Sequence, residues 1–134
     1  MPLLQDQQMG LMAWSPLGWG RLTGKIKRNQ PMEEGRIKSG GDVGAPPVEI
    51  ELIYDVVDVL ERIAIENDKS ISQVAINWIL QNPTVSNVIV GARNEKQLID
   101  NLDAANWSVS QEDLQKLNKI TKPQAIYPHW VGER

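Results

Sequence analysis

Two short apolar runs, typical of strands, are separated along this chain by long stretches typical of helices. Residues 10–14 are Gly-Leu-Met-Ala-Trp and lead into a Ser-Pro-Leu-Gly turn, and residues 85–91 are Val-Ser-Asn-Val-Ile-Val-Gly. Both runs have the length and composition of buried strands. Because strands separated by helices cannot be joined by a tight hairpin, we expect them to pair in parallel through a crossover connection. The sequence therefore predicts an α/β fold with about two parallel strands.

Four helices are predicted around these strands from apolar periodicity and capping residues. Ser70 and Gln73 have the spacing of a capping box, and Ser110 precedes an acidic first turn. Residues 3–9 are interpreted as the end of an earlier helix. The four predicted helices cover residues 47–67, residues 71–81, a segment from the Asn94 cap to about residue 104, and a segment that follows Ser110.

Two parallel strands are too few for a complete α/β domain. Both faces and both edges of such a pair need cover, which helices and further strands normally provide. The length of 134 residues would nevertheless support a core of ordinary size, and no linker divides the chain. We therefore expect residues 1–134 to form a single segment that belongs to something larger.

Composition excludes several classes of protein. The chain has no cysteine and a single histidine, His129, so disulfides, thiolate chemistry, zinc clusters and histidine-based triads are not expected. His129 lies among aromatic residues and is interpreted as a packing or surface residue rather than a catalytic one. No long apolar stretch or signal peptide is present, so the expected location is the cytoplasm without a membrane span.

Positive charge is concentrated in one glycine-containing segment. Residues 21–38 carry a net charge of +4, whereas the rest of the chain carries −7. This distribution favours local attraction for an anion, although a solvated loop would have the same composition. Nucleic-acid binding is not predicted, because the protein is acidic overall and no base-stacking motif accompanies the basic residues.

The first group of candidate binding residues follows the first strand. In α/β proteins, ligands bind at the carboxyl ends of strands. Residues 14–25 contain glycines that admit a phosphate, the hydroxyl of Ser15, and the cations Arg21 and Lys25. The same residues could instead form only a tight corner. No Walker motif or Gly-x-Gly-x-x-Gly fingerprint is present, which disfavours a Rossmann-type nucleotide site.

The second group follows the second strand and opens a helix. Arg93 stands where a guanidinium can bind a phosphate, and Gln97 and Asn101 lie four residues apart on one helical face. A capped surface helix with solvated polar residues is the alternative. Because both groups occur at strand ends, we favour one extended ligand that carries phosphate.

Three ordered motifs, at residues 12–25, 72–81 and 88–102, resemble the C-terminal part of the aldo-keto reductase family. The similarity is greatest to the branch that includes the potassium-channel beta subunits. The family consists of (β/α)8 TIM barrels that reduce carbonyl compounds with NADP(H). The resemblance therefore implies that residues 1–134 are the C-terminal portion of such a barrel, from its seventh strand to its tail, and that they are incomplete as a barrel.

The resemblance also implies a cofactor site for NADP(H). The turn from Ser15 to Gly20 would line the pyrophosphate, and Lys25 and Arg36 would fold over it. The implied cofactor-binding residues are Ser15, Pro16, Leu17, Gly18, Trp19, Gly20, Lys25, Arg36, Gly91, Arg93, Gln97, Asp100 and Asn101.

The adenosine end of the cofactor would be held by the second group. Arg93 and Gln97 would face the 2′-phosphate, and Asp100 and Asn101 the ribose or adenine. The implied contacts of Lys25 and Arg36 with the pyrophosphate agree with the positive charge of residues 21–38.

No catalytic residue is assigned in this chain. The family's catalytic Asp, Tyr, Lys and His lie in the first half of the barrel, and Tyr54 and Tyr127 do not match the catalytic tyrosine. We expect a truncated segment that is inactive alone and that, in a completed barrel, would serve the reduction of aldehydes and ketones by hydride transfer. The alternative is a non-enzymatic module that associates with itself or docks on a partner.

Overall fold

The computed structural model describes residues 2–28 and 47–123. These residues contain five α-helices and two β-strands, which are the four predicted helices, both predicted strands and a short first helix in the segment where the sequence predicts the end of an earlier helix. Within them, no helix is long and apolar enough to span a membrane. The elements are α1 (Pro2–Asp6), β1 (Leu11–Trp14), α2 (Ile50–Glu66), α3 (Ile71–Leu80), β2 (Val85–Ile89), α4 (Glu95–Asp103) and α5 (Gln111–Ile120).

The two strands pair in parallel, as the sequence predicts. Met12 lies opposite Asn87 and Trp14 opposite Ile89, and a register shift after Leu11 skips Ser86. The connection between the strands passes through α2 and α3. Two strands do not close a barrel, so the described residues form an open α/β unit that matches the predicted incomplete architecture.

The prediction that both strands are buried is wrong for one face of the sheet. Leu11, Ala13 and Val88 are only partly exposed, whereas Met12 and Trp14 on the opposite face are exposed at 58% and 70%. Apolar composition indicates that a strand is suited to burial, but burial itself depends on a second layer. Among the described residues, no such layer covers this face.

The main core lies between α2, α3 and α5 rather than against the sheet. The apolar periodicity of α2 and α5 brings one side of each helix into this core, and α3 packs between α2 and the sheet. The buried residues of the core are Val56, Leu60, Ile63, Ala64, Val74, Ala75, Val109, Leu114 and Leu117.

Asn77 is a buried polar residue that ties α3 to the segment between α4 and α5. Its exposure is only 2%. The side-chain amide donates to the carbonyl oxygens of Ala104 at 2.8 Å and Trp107 at 2.7 Å, and its oxygen accepts from the N–H of Val109 at 2.9 Å. One side chain thus pairs three backbone groups of a segment that has no regular ladder of its own.

The predicted helix caps at Ser70, Asn94 and Ser110 are confirmed. Ser70 accepts from the N–H of Gln73 at 3.1 Å, and the Gln73 side chain accepts from the N–H of Ser70 at 3.0 Å, which completes the capping box. Each of these polar side chains satisfies backbone donors that a helix N-terminus leaves unpaired. These local signals fix the starts of α3, α4 and α5.

Asp113 connects the first turn of α5 to its surroundings. Its carboxylate accepts from the hydroxyl of Ser110 at 2.7 Å and from Lys116 at 3.2 Å, and Arg62 of α2 lies 3.7 Å away. The hydrogen bond from Ser110 is the main cause that lowers the pKa of Asp113 below its ordinary value, and the nearby cations add to it.

We expect this shift to make unfolding depend on pH in the acidic range. Because the pKa of Asp113 is lower in the folded chain, the unfolded chain binds a proton first as the pH falls. The stabilisation is fully present above the unfolded-state pKa of about 3.9 and is lost as the pH falls through the lower folded-state value. Urea unfolding between pH 3 and 6 would measure how the free energy of unfolding depends on pH. Asp113→Asn should flatten the slope of that dependence. An unchanged slope in that variant would show that Asp113 does not contribute.

Gly24 lies where the loop after β1 passes over α3. Its φ is +76°, and an added Cβ would lie 2.4 Å from Cδ1 of Ile71. Gly20 also has a positive φ, +94°, but an added Cβ would meet no atom within 4 Å. We expect Gly20→Ala to cost about 1 kcal/mol from the backbone alone, and Gly24→Ala to cost more because Ile71 must also move. Equal urea midpoints for the two variants would contradict the close contact.

Candidate functional site

A cleft of about 690 Å³ lies at the carboxyl ends of β1 and β2. Its volume is within the range of small-molecule sites. Three segments form its walls: the loop after β1, the turn between β2 and α4 with one face of α4, and the start of α3. The lining residues are Trp14, Ser15, Pro16, Leu17, Trp19, Gly20, Thr23, Lys25, Ile26, Ser72, Ile89, Val90, Gly91, Ala92, Arg93, Gln97, Asp100 and Asn101.

The loop after β1 forms one wall through backbone conformations that are uncommon outside glycine. Ser15 has a φ of 55° and Trp19 a φ of 64°. The N–H of Gly18 donates to the carbonyl of Ser15 at 2.9 Å, and the N–H of Gly20 to that of Leu17 at 3.0 Å. Because these donors are used inside the loop, Gly20, which lines the cleft, admits a ligand close to the backbone without offering it this N–H group.

A second wall is formed by the turn after β2 and the start of α4. Asn94 caps this helix by accepting from the N–H of Gln97 at 2.9 Å, and the Gln97 oxygen accepts from the N–H of Arg93 at 3.0 Å. The side chain of Asn101, which is buried, donates to the carbonyl of Gly91 at 3.3 Å. These contacts fix the turn that carries Arg93 while leaving its guanidinium at the cleft.

Asp100 is held in place by a hydrogen bond from the residue that caps α3. Its carboxylate accepts from the hydroxyl of Ser70 at 2.8 Å, so the start of α3 and the middle of α4 are joined beside the cleft. Asp100 can accept a hydrogen bond from a hydroxyl of a ligand, whereas it would repel a phosphate placed next to it.

Two cations of the basic segment, residues 21–38, form ion pairs with α2 and do not line the cleft. Lys27 forms an ion pair with Glu61, and Arg28 binds Glu51, Asp55 and Asp58, all on α2. The hydrogen bond to Glu51 is the main cause that raises the pKa of Arg28 above its ordinary value. The net charge of residues 21–38 is therefore larger than the positive charge that this segment has available for binding an anion.

Lys25 and Arg93 differ from these paired cations. Lys25 lies in the loop after β1 and Arg93 in the turn after β2; both residues line the cleft, and both are exposed. Within residues 2–28 and 47–123, neither side chain has a hydrogen bond or ion pair. A phosphate group between these walls would therefore meet cations that do not first have to leave another partner.

The structure brings most of the predicted site residues together. Of the predicted set, only Gly18 and Arg36 are not among the lining residues; Gly18 lies in the loop after β1, and Arg36 lies outside the described residues, as does His129. Arg21, named as a possible phosphate ligand, also does not line the cleft. In the described part of the chain, no cluster of acidic or histidine side chains could hold a metal ion.

Comparison with known proteins identifies the family. The family model for the aldo/keto reductases matches residues 1–122, which is most of the chain. The chain belongs to the aldo/keto reductase family.

Two curated members show how much of an aldo/keto reductase this chain represents. It is 30% identical over 119 residues to the L-glyceraldehyde 3-phosphate reductase of Escherichia coli O157:H7, covering 87% of this chain and 34% of that one. It is 33% identical over 127 residues to a putative voltage-gated potassium channel subunit beta of Schizosaccharomyces pombe, covering 90% and 36%. The chain thus spans about a third of the length of these aldo/keto reductase relatives.

A solved structure supports the same fold. The glycerol dehydrogenase of Gluconobacter oxydans superposes with a TM-score of 0.67 at 25% identity, covering 95% of this chain and 39% of that protein. The described residues therefore form an α/β fold similar to that of an aldo/keto reductase barrel protein.

Sequence patterns missed several lining residues of this aldo/keto reductase chain. Ser72 reaches the cleft from α3, and Ile26, Ile89 and Val90 form apolar parts of its wall. Ile26 carries a local sequence signal, since it is an apolar residue between two lysines. In the structure it is buried against α2. Ser72 carries no local sequence signal, because only the packing of α3 against the rest of the fold brings it to the cleft.

Proposed function

We propose that this chain carries the adenosine and pyrophosphate part of the NADP(H) site of an aldo/keto reductase. The observation that carries the proposal is the pair Lys25 and Arg93. Both residues line the cleft, Lys25 from the loop after β1 and Arg93 from the turn after β2, without partners in the described residues, while Lys27 and Arg28 are bound by α2. An extended ligand with two separate anionic groups, a pyrophosphate and a 2′-phosphate, matches this placement of positive charge better than a neutral one does.

Each wall of the cleft has a defined role in this proposal. The Ser15 to Gly20 loop gives the pyrophosphate close approach to the backbone, and Lys25 supplies its countercharge. Arg93 binds the 2′-phosphate, with the side-chain amide of Gln97, whose oxygen accepts from the N–H of Arg93, beside it. The Asp100 carboxylate accepts hydrogen bonds from the ribose or adenine, and the Asn101 side chain forms further hydrogen bonds to them.

The chemistry of the family requires more than this cleft. The bound cofactor would supply the hydride for reduction of an aldehyde or ketone. No residue of this chain is assigned to the roles of the catalytic Asp, Tyr, Lys and His, which the family resemblance places in the first half of the barrel. We therefore propose that the chain alone binds the cofactor in the cytoplasm and reduces carbonyl compounds only within a completed barrel.

Titration of the purified chain with NADPH and with NADH tests the proposal. Trp14 and Trp19 lie at the cleft with ring centroids 6.1 Å apart, so a bound dinucleotide should quench their emission. We expect saturable quenching with a clear preference for NADPH, because only NADPH carries the 2′-phosphate. The chain's mass should be followed by light scattering in the same samples.

Two outcomes would contradict the proposal. Equal affinity for both cofactors would show that the 2′-phosphate is not bound by this chain. Absence of quenching by a chain that is folded by circular dichroism would show that the cleft does not bind a dinucleotide without further elements.

A further inference from the structure

Helix α2 presents four carboxylates to the end of the loop that follows β1. They are spaced three or four residues apart and therefore lie on one face of the helix, which is called the acidic row. The acidic row consists of Glu51, Asp55, Asp58 and Glu61. Lys27 pairs with the last of these carboxylates, and Arg28 pairs with the other three.

Arg28 makes the most contacts with α2. Its two terminal nitrogens bind Glu51 and Asp55, and its Nε lies 3.4 Å from an oxygen of Asp58. The guanidinium also lies over the ring of Tyr54, with its carbon 5.3 Å from the ring centroid. A single exposed ion pair contributes little, but one planar guanidinium shared by three carboxylates forms a network. Arg28 therefore attaches the end of the loop to α2.

Lys25 lies between two places where the loop contacts helices. On one side, Gly24 passes so close to Ile71 of α3 that an added Cβ would lie 2.4 Å from its Cδ1. On the other side, Ile26 is only 6% exposed and packs against buried residues of α2. The side chain of Lys25 itself lines the cleft. The position of this cation therefore depends on how firmly the following residues are attached to α2.

We propose that Arg28 is a positioning residue, which holds the end of the loop on the acidic row and thereby keeps Lys25 at the cleft. The attachment exists without a ligand, because all of its contacts lie within the chain. Its consequence for a dinucleotide rests on the function proposed above. A bound pyrophosphate leaves more readily when the loop that carries its countercharge detaches from α2.

Direct binding of an anion by Arg28 makes the opposite prediction. Arg28 is not among the residues that line the cleft. If its charge acted directly on a bound anion, removal of a carboxylate from the acidic row would strengthen binding, because the row repels an anion. If Arg28 acts by holding the loop, the same removal weakens binding. The sign of the effect therefore separates the two roles.

Asp55→Asn and Glu66→Gln form a matched pair of variants for this test. Each removes one carboxylate from α2, and the two side chains are equally exposed, at 56%. Asp55 binds Arg28, whereas Glu66 pairs with Arg62 and lies outside the acidic row. Neither substitution changes the sequence of the loop. A difference between the two variants therefore reports the contact with Arg28 rather than the loss of charge.

Cleavage by a lysine-specific protease measures the attachment without a ligand. The bond after Lys25 leads to the buried Ile26, so the protease reaches it only when the loop leaves α2. Cleavage after Lys116, within α5, reports global unfolding and serves as the reference. Relative to this reference, we expect cleavage after Lys25 to be about twofold faster in Asp55→Asn and about fivefold faster in Arg28→Gln. Glu66→Gln should match the parent chain, and equal ratios in all three variants would overturn the proposal.

The rate of NADPH release measures the consequence for the ligand. Release would be followed by the recovery of tryptophan emission after rapid dilution. We expect Asp55→Asn to release NADPH about twofold faster than the parent chain and Glu66→Gln to release it at the parent rate. Unchanged or slower release from Asp55→Asn would overturn the positioning role. If the parent chain does not bind NADPH, the function proposed above fails, whereas the cleavage ratios still decide whether Arg28 holds the loop.

Discussion

Replacement of Asn77 by leucine is expected to lower the free energy of unfolding by about 4 kcal/mol. Leucine has a similar size but leaves the carbonyls of Ala104 and Trp107 and the N–H of Val109 without a partner. Each buried group left unpaired costs about 1–3 kcal/mol. Since domains of this size are stable by about 5–15 kcal/mol, the variant should be near or beyond the limit of folding at 37 °C.

Asn87→Leu is the matched control for this substitution. Asn87 is exposed on the sheet, so the same chemical change removes no buried hydrogen bond there. Urea unfolding followed by circular dichroism should show a normal midpoint for Asn87→Leu and a strongly reduced one for Asn77→Leu. Similar midpoints for the two variants would mean that Asn77 does not hold the segment between α4 and α5.

Replacement of Arg93 by glutamine is expected to weaken NADPH binding at least tenfold. A charged hydrogen bond to phosphate is worth about 1.5–3 kcal/mol, and about 1.4 kcal/mol corresponds to a factor of ten. Affinity for NADH should change much less, because NADH lacks the 2′-phosphate that Arg93 is proposed to bind. The two dissociation constants would be measured by tryptophan quenching.

Lys96→Gln is the control for Arg93→Gln. Lys96 is an exposed cation in the first turn of α4, shortly after the turn that carries Arg93, and it does not line the cleft. Its removal changes the net charge equally, so it reports any general electrostatic effect. If Lys96→Gln weakened NADPH binding as much as Arg93→Gln, long-range attraction rather than a contact at the cleft would explain the preference.

Helix boundaries could be predicted closely because their signals are local. The side chains of Ser70, Asn94 and Ser110 accept from backbone N–H groups only three residues away. The exposure of Met12 and Trp14 could not be predicted in this way. Apolar composition indicates that a strand is suited to burial. Whether a second layer covers the strand depends on residues far away in the chain or in another chain.

The candidate site was predictable where it depends on strand ends and unpredictable where it depends on long-range contacts. Arg93 and Lys25 follow directly from their positions after β2 and β1. Lys27 and Arg28 lie in the same basic stretch of sequence as Lys25. Carboxylates of α2, more than twenty residues away in the sequence, bind both of them. Charge counted along the sequence therefore located the basic segment without showing which of its cations remain available.

We infer that this chain binds the adenosine end of the dinucleotide rather than its nicotinamide end. Calorimetric titration of the purified chain with 2′,5′-ADP and, separately, with nicotinamide mononucleotide tests it most directly. We expect 2′,5′-ADP to bind and to compete with NADPH, while nicotinamide mononucleotide gives no saturable signal. Binding of nicotinamide mononucleotide alone, or of neither fragment, by the folded chain would contradict the claim.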